Sequence, residues 1–351
     1  MEKTLEIYND ILTNEEAKAV ESLVLLLDKK KVEYNKAGYN SSKLVKFLRA
    51  RKLDLNKSFE MFTSYLKWRK ENNIDSIASF AFPEMDLVKV YYPHGFHKTD
   101  RQGRPIYVDL LGEIKIDFLL KVTTNERLVQ YQIRNYERLM NHVFPSCSAE
   151  GKKYIYQTCN VIDLKKLSAD LLNKKSYGML KKIAQVSQNY YPETLGQLFI
   201  INTGMLFKAA WAVCKAFLDQ KTRDKIIPLG NEYKTKLFEH IDPDNLPKLI
   251  GGNCVCQPYG CLYSDAGPWN KDNQTEAKYN TELINKISIE DDLQKDGNKP
   301  EEPIEILEEH NDPIYLTEDQ NNLDSNELSK EMNDKLKLSK ASFDNDSKSD
   351  L

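Results

Sequence analysis

The run KFLRARKLD, residues 46–54, puts an arginine where an amphipathic helix calls for a leucine. Leu44, Phe47 and Leu48 keep the i, i+3, i+4 spacing of an apolar stripe, and the next position on it is Arg51. A guanidinium does not lose its charge, and burying it unpaired costs several kcal/mol. Two partners satisfy it: a structural carboxylate, with the stem snorkelling to solvent, or an anion such as a ligand phosphate. Farther along, Thr222 and Lys225 stand at i, i+3 in DQKTRDK. One helical turn there presents a hydroxyl and an ammonium together, groups that suit a phosphate and equally suit a solvated turn.

Other chemistry is sparse. Cys254, Cys256 and Cys261 form a C-x-C-x4-C run with no adjacent fourth ligand, and His94 and His97 flank Gly95-Phe96 in a turn-like segment. Neither spacing assigns a metal by itself, and no cofactor is expected. There is no G-x-S-x-G, no G-x-x-x-x-G-K-[ST], no G-x-G-x-x-G and no H-E-x-x-H, so the chain is not read as an enzyme. RNA-binding aromatic signatures are also absent, which argues against a nucleic-acid partner.

Charge is divided along the chain. From Lys271 onward there are 22 acidic and 10 basic residues, a net −12, while residues 1–270 hold 40 basic against 31 acidic, a net +9. A basic body favours an anionic partner such as a membrane surface or nucleic acid, and the sign alone does not choose between them. The opening MEKTLEIYND does not read as a signal peptide, and no stretch reaches the roughly 18 apolar residues of a membrane span. Six cysteines are too few for a disulfide framework, so a cytosolic setting is expected.

The periodicity positions these groups. Residues 1–75 read as a helical subdomain: one helix begins at Asn14, Ser41 or Ser42 caps the arginine helix, and Asp54 caps the next. Residues 76–270 read as an α/β lobe. Its strand candidates are 106–111, 153–164, 197–203 and the short 225–229; helices are expected over 125–144 and 168–190. In the second strand Ile155, Cys159 and Val161 share one face; Tyr156, Thr158 and Asn160 share the other. Residues 205–218, MLFKAAWAVCKAFL, are apolar nearly all round, interrupted by Lys208 and Lys215 on one side. That is a buried core helix or one with a face on a cavity and a face toward lipid. Residues 271–351 read as an acidic, disordered tail.

Eight strings in order, LVKFLRARKLD, KWRKENN, YYPHGFHKTDRQGRPIYVDLLG, VIDLKKLS, SQNYYPETLGQLFIIN, KAFLDQKTRDKI, LPKLIGG and LYSDAGPW, resemble the CRAL-TRIO lipid-binding family. Within it the fungal-type phosphatidylinositol/phosphatidylcholine transfer proteins are most similar. The resemblance covers roughly residues 40–270. It implies a helical N-terminal subdomain and a CRAL-TRIO-type lobe, in which a mixed, largely parallel sheet floors a hydrophobic lipid pocket closed by a gate helix.

The resemblance also implies roles. Arg51, Glu193, Thr222 and Lys225 fall on the family's phosphatidylinositol headgroup site, with Lys52 as the expected partner of Glu193. Thr194 stands where the family can carry a basic residue. The gate falls on 205–218, with Met205, Leu206, Phe207, Trp211, Phe217 and Leu218 as its apolar residues and Gly251-Gly252 as its support. The second-lipid subsite falls on Tyr107, His142, Thr158 and Asn160. There Thr158 keeps a family hydroxyl, Asn160 replaces another by an amide, and His142 replaces a tyrosine, so phosphatidylcholine and a different second lipid both stay open.

The expected function is therefore binding and exchange of phosphatidylinositol and a second lipid by a monomeric protein. It would sit in the cytoplasm, peripheral to intracellular membranes such as Golgi or endosomal ones, and present its lipid to a lipid kinase. A carrier of another hydrophobic ligand on the same fold is one alternative; a lipid-sensing module acting through its acidic tail is the other.

Overall fold

A computed structural model describes residues 12–168, 174–207, 211, 218, 220–258 and 260–271. Three helices open it: α1 (Asn14–Lys29), α2 (Ser41–Ala50) and α3 (Leu55–Glu71). A side-chain oxygen starts each one. Thr13 and Glu16 form a capping box, Asn40 accepts from the Lys43 amide and Asp54 from the Lys57 amide. The cap of α2 is thus Asn40, with Ser42 held against it by an Oγ–Oδ1 hydrogen bond of 2.8 Å. Leu23, Leu27, Leu44, Leu48, Phe62 and Trp68 are buried in one core with Ile133, Val186, Tyr190 and Tyr191 from later helices. Trp68 stacks on Tyr190 with ring centroids 3.9 Å apart, so the helical N-terminal region packs directly on the following lobe.

After a 3-10 turn (Ile74–Ser79) and α4 (Met85–Tyr91) the chain builds five strands. They are β1 (His94–Thr99), β2 (Pro105–Asp109), β3 (Thr158–Asp163), β4 (Leu195–Ile201) and β5 (Ile226–Pro228), in the order β1-β2-β3-β4-β5. The first pair is antiparallel and the other three are parallel, giving the mixed α/β sheet that was expected. Between β2 and β3 run α5 (Ile116–Val122), α6 (Asn125–Arg138) and α7 (Phe144–Gly151), and α8 (Lys174–Tyr190) precedes β4.

Three readings change. β1 occupies the segment taken for a turn: His94 to His97 are all buried, so HGFHKT has no period-2 alternation to betray a strand. The strand read over 153–164 begins only at Thr158, and Ile155 packs instead with Phe144 and Trp269. The helix read over 125–144 continues through a π-turn (Leu139–Val143) into α7, whose first turn holds Pro145.

The sheet has two different faces. On one, Ile106, Val108, Cys159, Val161, Phe199 and Ile201 are fully buried against Tyr233, Leu237, Ile241, Leu246, Ile250 and Leu262 of the C-terminal segment, which includes α9 (Gln220–Asp224), α10 (Lys234–Phe238) and α11 (Cys261–Ser264). On the other face, strand register aligns Phe96, Tyr107, Asn160 and Leu198 in one cross-strand row beneath α6 and α8. No helix among the described residues is long and apolar enough to cross a membrane.

The helical region is also tied to the lobe by charge. Arg69 of α3 meets Glu137 of α6 at 2.6 Å with both side chains 13% exposed, and the Tyr191 hydroxyl donates to the same carboxylate at 2.7 Å. Asp75, 83% exposed, pairs with Arg69 from the solvent side. Removing a buried partner costs far more than removing a solvated one. Glu137→Ala should therefore lose about 3 kcal/mol of unfolding free energy in urea titrations, and Asp75→Ala less than about 1 kcal/mol. Equal losses would contradict this division.

Candidate functional site

A cavity of about 150 Å³ lies between the Phe96–Tyr107–Asn160–Leu198 row and the helices above it. Thr158, Thr194 and Leu195 complete the floor; Gln132, Asn135, Tyr136, Leu139 and Ser187 form the roof. The Tyr136 hydroxyl donates to Ser187 Oγ at 2.8 Å, and Thr158 Oγ1 donates to the Thr194 carbonyl at 3.3 Å. Asn160 Oδ1 is buried without a hydrogen-bond partner among the described residues. An unmet buried acceptor is costly, and a ligand donor would satisfy it. Burial holds the Tyr107 phenol well above its ordinary range, so it stays a neutral hydroxyl.

Three of the four residues expected at the second-lipid subsite thus come together here. His142 does not: on the π-turn its Nε2 lies 2.8 Å from the Trp269 carbonyl. The roof supplies Gln132 and Asn135, which the sequence reading passed over. Their signal was present, because 132, 135, 136 and 139 follow helical spacing on one face of α6.

The arginine that opened the sequence analysis is not on a buried helical face. α2 ends at Ala50; Arg51 is its C-cap, and Lys52 and Leu53 take positive φ of 54° and 63°. Arg51 is half-buried, its Nη1 donates to the Ala50 carbonyl at 3.2 Å, and it forms no ion pair among the described residues. The buried cation of α2 is Lys46, at 6% exposure. Its Nζ lies 3.8 Å from Met140 Sδ and over the rings of Tyr156 and Phe144 at 5.4 and 5.8 Å. Burial, reinforced by Lys43 and Arg49, lowers it to about 7 despite Glu193 nearby. Arg49 is held by both Glu16 oxygens at 2.7 and 3.0 Å and by the Tyr156 hydroxyl at 3.2 Å. Positions 42, 45, 46 and 49 make a second stripe, so α2 is enclosed on nearly every side.

Glu193 sits at φ 61° just before β4, with its side chain 9% exposed. Its partners are Lys221 at 2.6 Å and Lys225 at 3.7 Å, not Lys52, which is exposed. The positive φ values at Lys52 and Leu53 turn the chain sharply after α2, while Lys221 within α9 and Lys225 just after it reach the carboxylate. Thr222 and Lys225 do share a helical turn, closed by a 3.2 Å bond from the Lys225 amide to the Thr222 carbonyl. Thr194 turns its hydroxyl inward, donating to the Tyr191 carbonyl at 3.0 Å.

Of the residues expected at the gate, Phe207 is buried against Leu164 and Ile200 and stacks on Trp211 at 5.8 Å, while Met205 is 52% exposed. Leu206 and Leu218 are half-buried. Phe217, Lys208, Lys215 and the tail beyond Lys271 lie outside the described residues. Gly251 has φ 88°, and a Cβ at Gly252 would fall 2.1 Å from the Leu246 carbonyl oxygen, so both positions require glycine.

The lowered Lys46 carries a pH signature. Unfolded lysine keeps its proton to about pH 10.4, whereas folded Lys46 releases it near pH 7. The unfolded state binds more protons between those values, so stability from this group rises across that window. Lys46→Met should raise the urea midpoint at about pH 6, and the gain should shrink toward about pH 10. A gain independent of pH would contradict the buried-ammonium account.

Residues 89–252 match the CRAL/TRIO domain. The chain is 42% identical over 251 residues to the Sec14 cytosolic factor of Schizosaccharomyces pombe, covering 70% of this chain and 87% of that protein. It is 41% identical over 274 residues to the phosphatidylinositol/phosphatidylcholine transfer protein SFH12 of Arabidopsis thaliana, covering 76% of this chain and 49% of that protein. SFH9 of the same plant is 42% identical over 229 residues, covering 65% and 40%. The chain thus spans about half the length of the plant relatives it matches. The crystal structure of Sfh5 shares the fold, with a TM-score of 0.54 at 17% identity over 79% of this chain and 98% of that one. With a relative matched over most of its length and the domain signature spanning all five strands of the sheet, the chain belongs to the CRAL/TRIO family.

Proposed function

We propose that the protein is a non-enzymatic carrier that binds phosphatidylinositol and exchanges it with a second phospholipid between membranes. The observation that carries this reading is the cavity on the free face of the sheet, where Tyr107, Thr158 and the unsatisfied Asn160 amide meet beneath a polar roof. Relatives named as phosphatidylinositol/phosphatidylcholine transfer proteins support it.

Extraction of a phospholipid exposes its chains at about 0.8 kcal/mol per methylene, so only an enclosed apolar site offsets the loss of the bilayer. The cavity, about 150 Å³, is smaller than the roughly 300–1,000 Å³ of a small-molecule site. Admission of acyl chains therefore requires the elements over it to part, and the segment carrying Phe207 and Trp211 is the gate. Arg51, Thr222 and Lys225 supply charge-assisted hydrogen bonds to the headgroup phosphate. Glu193, held by Lys221 and Lys225, keeps that cation group from repelling itself when no lipid is bound. The basic body docks on an anionic cytoplasmic membrane surface, and the protein presents phosphatidylinositol there to a lipid kinase.

Arg51 distinguishes the phosphate reading from a structural one, because the only hydrogen bond its side chain makes among the described residues is to its neighbour's carbonyl. Arg51→Ala should lower phosphatidylinositol transfer between labelled vesicles at least about tenfold, the equivalent of one charge-assisted contact. Its melting temperature should stay within about 2 °C of the parent. Unchanged transfer with a large fall in melting temperature would remove Arg51 from the headgroup site.

A further inference from the structure

The cysteine run that lacked a fourth ligand in the sequence acquires one in three dimensions. His97, on β1, meets Cys254, Cys256 and Cys261, more than 150 residues later, with one ligand atom of each lying within 4.8 Å of every other. Cys254 Sγ and Cys256 Sγ are 3.9 Å apart. In a tetrahedral zinc site, Zn–S bonds of about 2.3 Å and Zn–N bonds of about 2.0 Å place the ligand atoms roughly 3.5–3.8 Å from each other. The four side chains are therefore close to zinc spacing already.

We propose that His97, Cys254, Cys256 and Cys261 bind a structural zinc ion that fastens the edge of the sheet to the C-terminal segment.

Four features converge on this site. First, the donor set is three thiols and one imidazole, the Cys3His combination of closed, four-coordinate zinc sites. Second, His97 is fully buried, and its Nε2 has no hydrogen-bond partner among the described residues. A buried imidazole nitrogen without a partner is costly, and a metal ion would satisfy it. Third, the other ring nitrogen, Nδ1, lies 3.4 Å from Ser264 Oγ, which also donates to the Cys261 carbonyl at 2.9 Å. That is the position of an outer partner that orients a ligating histidine. Fourth, the backbone brings the two halves together tightly: a Cβ at Gly95 of β1 would fall 2.5 Å from the Leu262 carbonyl oxygen.

Binding converts three thiols to thiolates and releases three protons to solvent, leaving a net charge of −1 on the ion and its ligands. All four positions are filled by protein, so the ion has no open site for substrate and acts as a clamp. What it clamps is specific. β1 is the edge strand of the sheet, Cys254 forms a bridge with Pro247 around the Gly251-Gly252 turn, and Cys261 opens α11. Leu246, Ile250 and Leu262, which flank these ligands, are buried against the covered face of the sheet.

The test is metal analysis of the full chain, purified from zinc-supplied cells and dialysed without chelator, by inductively coupled plasma mass spectrometry. The parent should carry about one zinc per chain. Cys256→Ser and His97→Ala should each lose most of it, and Cys147→Ser, at a buried cysteine outside the cluster, should keep it. Because the first two variants can fail to fold, the parent chain is also stripped and reloaded with cobalt(II). Tetrahedral thiolate coordination should then give intense visible d–d bands and a sulfur-to-cobalt charge-transfer band. Less than about a tenth of a zinc per chain, a weak octahedral cobalt spectrum, or a Cys254–Cys256 disulfide in the isolated protein would each overturn the proposal.

Discussion

Six side chains on one face of the sheet, Ile106, Val108, Cys159, Val161, Phe199 and Ile201, must be kept from water, and the C-terminal segment does this. Complete burial of such residues is worth about 1.5–3 kcal/mol for each large one. That commitment leaves the opposite face free to be polar and partly open. Tyr107, Thr158 and Asn160 can then stand over a cavity without the sheet falling apart, because the fold draws its stability from the other side. The arrangement divides labour in space: one face holds the lobe together, and the other is available to a ligand.

The free face is bounded by charge as well as by helices. Lys46, Arg49, Lys221 and Lys225 gather toward Glu193, which shifts the first two electrostatically and pairs with the last two directly. Glu193, and Glu16 which holds Arg49, are two carboxylates among these four cations, which leaves a surplus of positive charge where α2 approaches the start of β4. Burial is what chiefly lowers Lys46, and its neighbours Lys43 and Arg49 add to that cost. In the proposed function, an anionic headgroup nearby would offset part of the cost that makes Lys46 a burden on stability.

Much of this was legible in the residues. Helical spacing located α1, α2, α3 and α8, and the alternation around Thr158 and Asn160 assigned both side chains to one strand face. The illegible parts share a physical cause: they depend on where distant segments meet. β1 was hidden because both of its faces are covered, which erases alternation. Arg51 left its helix because the chain turns at Lys52 and Leu53 with positive φ, a backbone event that side-chain periodicity does not encode. Glu193 takes Lys221, and His97 joins cysteines more than 150 positions away, by tertiary approach alone.

The central claim is that the free face of the sheet receives a phospholipid. Native mass spectrometry of the full chain, released from mild buffer and then fragmented to eject its ligand, tests this most directly. The account predicts ejected phosphatidylinositol together with a second glycerophospholipid, each bound one to a chain. A sterol, a retinoid or another phosphate-free ligand in their place would contradict it.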